Sequence, residues 1–91
     1  MLVRLEPEMK RQLLNRLRRV EGQFQALQRL IDEDADCETV VTQLGAACAA
    51  ARAAARFALA QLLVACLETD LAAGRQAEAR TRAVELITRL P

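Results

Sequence analysis

The sequence contains no histidine, tryptophan or tyrosine, and Phe24 and Phe57 are its only aromatic residues. The commonest general base, the commonest metal ligand and the usual base-stacking platforms are therefore missing. An enzyme is hard to build from what is left. Unbroken apolar runs stop short of the ~20 residues of a membrane span, and Met1 is followed by acidic residues and Pro7 instead of the apolar stretch of a signal peptide. These absences predict a cytosolic protein with no membrane partner. Net charge is only +1, too little on its own to announce a nucleic-acid partner. Glycine and proline are sparse as well, three and two residues, so the chain has few places to turn.

What is present is a 91-residue chain that is 53% hydrophobic, much of it alanine. A chain of this length forms one domain, here residues 1–91, whose core is small enough that pairing with further copies adds much of the stability. The charge is segregated. Met1 to Arg29 carries seven basic and three acidic residues, whereas Leu30 to Asp70 carries two basic and seven acidic ones. Such a distribution marks a basic first helix despite the small total.

Leu13, Leu17, Val20, Phe24, Leu27 and Ile31 recur at steps of four and three, the rhythm of a helix packed on a partner. This predicts a first helix over roughly Pro7–Ile31, with Pro7 in the first turn. The cluster Asp32, Glu33, Asp34, Asp36 ends the apolar face, and Asp34 or Asp36 can cap the next helix. No break then occurs before Gly74, so Cys37 to about Asp70 reads as one helix of about 50 Å. A shorter third helix is predicted from about Arg75 to Leu90, closed by Pro91. The middle of the long helix, Gly45 to Arg56, is so poor in side-chain bulk that another backbone can come unusually close, which reads as contact with a second copy. High helix propensity is the plainer account of so much alanine.

Cys37, Cys48 and Cys66 are 11 and 18 residues apart, which at about 100° per residue places all three on one stripe of the helix. Three cysteines without CxxC spacing in a reducing compartment read as reactive or ligand thiols, not a disulfide framework. Within one helix Cys37 and Cys66 stand about 43 Å apart, whereas a disulfide requires Cα atoms within about 7 Å. If two copies of the long helix pair antiparallel about an axis near Ala51 and Arg52, Cys37 of one copy meets Cys66 of the other, and symmetry makes two such sites. Cys48 then faces Ala55 and is expected to be a small buried hydrophobe.

The segment Asn15-Arg-Leu-Arg-Arg-Val-Glu-Gly-Gln, the acidic loop ending in Asp36-Cys37, Gln43, and Cys66-Leu-Glu together resemble the copper-sensitive operon repressor family, over nearly the whole chain. The resemblance implies an all-α, three-helix protomer, an antiparallel dimer built on helices one and two, a tetramer made of two such dimers, and an operator released on signal binding. Copper sensors of that family add to two cysteines, matching Cys37 and Cys66, a histidine at the position of Leu62. They also carry a tyrosine where Asp36 stands and a glutamate near the position of Arg82. Nickel and cobalt sites in the family need histidines, and its formaldehyde sensors need a proline where Leu2 stands. The branch that fits what remains is the persulfide sensors, which keep only the two cysteines at this spacing.

The expectation is thus a repressor of double-stranded operator DNA, without a cofactor, induced by persulfide or polysulfide through Cys37 and Cys66. Its basic strip would be Arg11, Arg16, Arg18 and Arg19, joined across the dimer by Arg52 and Arg56. The alternative inducer is Cu(I), held by the same two cysteines as metal ligands. A helical assembly protein that binds no DNA is the alternative of another class.

Overall fold

The computed structural model describes residues 4–89 as three helices in the order α1 (Pro7–Asp32), α2 (Cys37–Ala72) and α3 (Gln76–Arg89), with no strand among the described residues. Leu2, Leu90 and Pro91 lie outside that range. Each boundary has a local cause. Pro7 opens α1, where its missing N–H costs nothing. Asp36 caps α2 by accepting the Thr39 backbone N–H at 3.1 Å and the Thr39 hydroxyl at 2.6 Å. These bonds hold the Asp36 carboxyl below its ordinary pKa, the Thr39 side chain contributing most. The first turn passes through Asp34 at φ 56°, a conformation that Asp tolerates better than most residues, and the second through Gly74 at φ 76°.

Helix α1 lies along the first two thirds of α2, and α3 folds back on its C-terminal end, in a body 57 × 27 × 15 Å. The alanine stripe of α2 receives α1: Ala47 and Ala54, one heptad apart, are buried, as is Leu27 of α1. Of the apolar rhythm in α1, Leu13, Val20, Phe24 and Leu27 are wholly or partly covered, whereas Leu17 and Ile31 stay 48% and 58% exposed. The heptad face is therefore broader than α2 alone can cover. Leu14, Val41, Leu44, Leu62, Val64 and Leu71 are exposed as well, an apolar surface far in excess of the few residues buried within the chain.

No unbroken apolar run reaches the length of a membrane span, but composition averaged along a helix gives a different measure. By length and composition alone, helix α2 is long and apolar enough to cross a membrane. Alanine and leucine lift the average even though Arg52 and Arg56 interrupt the run.

Candidate functional site: a cysteine stripe beside a basic helix

The three cysteines are free and share one face of α2, but their surroundings differ: Cys37 and Cys48 are exposed and Cys66 is buried. Within the single chain Cys48 is open, on the face expected to meet Ala55 of a second copy. About 100° of helix separates it from Ala47, so α1, seated on Ala47 and Ala54, leaves the cysteine face open. On that face only Cys66, near the end of α2 on which α3 docks, is covered. Cys37 and Cys66 stand 29 residues apart on the same unbroken helix, about 43 Å of axial rise. No bending of the loops can bring them together within one chain.

One turn beyond Cys66 lies Asp70, which is fully buried. Its Oδ1 accepts from Arg75 Nε at 3.2 Å and Nη2 at 3.0 Å, and its Oδ2 accepts from Arg82 Nε at 3.0 Å. Burial raises the carboxyl pKa, but the hydrogen bonds and charges of Arg75 and Arg82 outweigh it, and the group stays below its ordinary value. Sequence reasoning missed this cluster. The available signal was an acid between Leu67 and Leu71, followed by arginines five and twelve residues on.

The arginines of α1 are also unequal. Arg11 is paired with Glu8 one turn earlier, which raises the arginine pKa and lowers that of the glutamate. Arg16 lies over the Phe57 ring, its guanidinium carbon 3.9 Å from the centroid, which ties α1 to α2 through a cation–π contact. Arg18 donates to Asn15 Oδ1 at 3.3 Å. Arg11, Gln12, Asn15, Arg16 and Arg19 together line an open hollow on the solvent side of α1. Arg52 and Arg56 are exposed but lie about 160° around α2 from Ala54, on the side away from α1. Within one chain they do not join the α1 strip.

Among the described residues no three histidine, cysteine, aspartate or glutamate side chains gather in a group fit for a metal ion. Leu62, at the position of the copper sensors' histidine, is 38% exposed and offers no donor atom.

A family described as metal-sensitive transcriptional repressors matches residues 9–89, almost the whole described chain. The chain is similar to the copper-sensing transcriptional repressor RicR of Mycobacterium tuberculosis, with 42% identity over 59 residues, 65% of this chain. That match spans 62% of the relative's own length, less than two thirds. No solved structure matches the chain.

Proposed function

Since this chain belongs to the metal-sensitive transcriptional repressor family, we propose that it is an operator-binding homo-oligomer that lets go of DNA when persulfide or polysulfide joins Cys37 of one protomer to Cys66 of another. The observation that carries this reading is the continuity of α2, which fixes the two thiols about 43 Å apart and makes any bridge between them intermolecular. What supports a sulfur signal is the chemistry of the chain: it has no histidine, and Leu62 stands where the copper sensors' third ligand is expected.

The chemistry balances in two steps. The Cys37 thiolate attacks the outer sulfur of a persulfide, forming Cys37–S–SH and expelling the donor's thiolate. The Cys66 thiolate of the partner subunit then attacks the Cys37 sulfur, forming the disulfide and expelling hydrosulfide. Two protein thiols are oxidised, and the persulfide is reduced to a thiol and hydrosulfide. A second persulfide equivalent leaves an extra sulfur in the link, which relaxes the strict geometry of a direct disulfide. The link fixes one packing of α2 against its copy, and the basic α1 helices seated on α2 shift with it into an arrangement that no longer fits DNA.

The exposed apolar positions support the oligomer. Leu17, Ile31, Val41 and Leu44 leave an unpaired surface that a second copy would cover, and the resemblance implies a dimer of dimers. Light scattering at micromolar concentration should show a tetramer; a folded monomer would overturn this. Such an assembly also accounts for the apolar α2 without a bilayer, in which each buried arginine would cost about 2.5–3.5 kcal/mol.

The copper-sensing relative favours a second reading, in which Cys37 and Cys66 hold Cu(I) between two soft thiolates. A gel-shift assay on the DNA upstream of the gene separates the two. Polysulfide should release the DNA and leave a covalent dimer on non-reducing gels, with an intact mass of two chains plus any retained sulfur. Release by Cu(I) alone, with polysulfide inert, would establish the copper reading instead. Failure to bind that DNA at all would leave the assembly protein.

A further inference from the structure

Among the described residues Asp70 is the one charged side chain that is fully buried, and both of its partners come from the chain beyond the second turn: Arg75 at the end of that turn and Arg82 on α3. A buried carboxylate persists only where it is paired and hydrogen-bonded. Two of its three side-chain hydrogen bonds come from Arg75 in the turn, and the third, from Arg82, depends on α3 lying where it does. The apolar hold of α3 is slight by comparison. Ala79 is its only buried residue, Ala83 and Leu86 are half-buried, and Val84 and Ile87 face outward at 58% and 53% exposure. The ion pairs therefore contribute an unusually large share of what keeps this helix down.

One turn before Asp70, near the end of α2 on which α3 docks, Cys66 is 8% exposed, while Cys37 and Cys48 on the same face of α2 are open. The turn that precedes α3 runs through Gly74 at φ 76°, where a Cβ would meet no neighbouring atom. Glycine at this φ lets the chain reverse between α2 and α3 without strain.

We propose that α3 is a hinged cover over Cys66, latched by Asp70 to Arg75 and Arg82, and that Asp70 acts as a positioning residue setting how often the second thiol is reachable. The role of the cover in signalling rests on the proposed link between Cys37 and Cys66. It orders that reaction: a reagent meets Cys37 first, and Cys66 completes the link only from the opened state. A brief or weak sulfur exposure then leaves a persulfide on Cys37 that reducing thiols reverse, and only a sustained one locks two chains together.

The cover is tested without sulfur donors or DNA, so its failure and the failure of the persulfide reading are separate results. The full-length protein is alkylated with iodoacetamide under native conditions, and modification at each cysteine is followed by mass spectrometry, with Cys37 as internal reference. In the unaltered chain Cys66 should react at least about tenfold more slowly than Cys37, because its rate is limited by the population of the open state. Asp70→Asn, and independently Arg82→Met, should speed Cys66 by about tenfold while leaving the Cys37 rate unchanged. Arg82→Met keeps the aliphatic stem and a neutral α3, so it decides the matter if circular dichroism shows the Asp70→Asn protein unfolded. Cys66 reacting as fast as Cys37 in the unaltered chain, an unchanged Cys66 rate in Arg82→Met, or equal acceleration of both cysteines would each overturn the cover.

Discussion

Replacing Cys37 by serine should abolish both the covalent dimer and DNA release by polysulfide, while leaving operator affinity as it was. Cys37 is the first residue of α2 and is exposed, so the substitution leaves no cavity. The cap that starts the helix belongs to Asp36 and Thr39, neither of which is touched. A surface change of this kind shifts stability by no more than about 0.5 kcal/mol. The loss of the link should be complete, because neither of the other thiols can replace Cys37. Cys66 is about 43 Å away along the same helix, and Cys48 is about 16 Å along it. Replacing Cys66 gives a different phenotype: Cys37 should gain one sulfur atom by intact mass, yet no dimer should form on a non-reducing gel. Cys48→Ser should behave as the unaltered chain. The decisive measurement is the gel shift of the Cys37→Ser protein with polysulfide added. If the serine protein still releases DNA, the signal does not enter through this thiol.

The parts of the fold that were legible in the sequence are those with a local cause. Pro7 at the start of α1, Asp36 as the cap of α2 and Gly74 in the last turn each act within a few residues of themselves, and each helix boundary falls within about two residues of its expected place. Helical phase also put the three cysteines on one face. Phase says nothing about what covers a face, however, and so the exposure of Cys48 and the burial of Cys66 within a single chain were not foreseen. Both depend on how helices dock, α1 on the alanine stripe and α3 over the end of α2. The Asp70 cluster escaped for the same reason, since an acid and two arginines spread over twelve residues look like ordinary surface charge until the turn folds them together. The contact of Arg16 with Phe57 joins residues 41 positions apart, and no spacing rule reaches that far.

Changing Arg18 and Arg19 together to alanine should weaken operator binding by on the order of tenfold to a thousandfold at physiological salt and flatten its salt dependence by roughly one unit of slope for each phosphate left without its cation. The structure narrows the choice to this pair. Arg11 is held by Glu8, and Arg16 is stacked on Phe57, so part of what either offers to DNA is already committed within the chain. Arg19 makes no hydrogen bond or ion pair to the described residues, and Arg18 makes only a 3.3 Å hydrogen bond to Asn15. Both side chains are exposed on a helix, where alanine is the better helix former, so the fold should survive the change and the loss should be one of charge. Repetition in an oligomer multiplies the effect, and this is how a chain of net charge +1 can present a basic strip. Arg11→Ala provides the internal comparison. Removing it also frees Glu8 next to the DNA, so its effect on affinity mixes a missing cation with an unmasked anion and should not scale with the salt slope in the same way. Arg52 and Arg56, on the far side of α2 from α1, should share the effect of Arg18 and Arg19 only if a second copy carries them to the same surface. Fluorescence anisotropy on the upstream DNA at several salt concentrations measures both quantities, and an unchanged affinity with an unchanged slope for the Arg18→Ala, Arg19→Ala protein would remove α1 from the DNA interface.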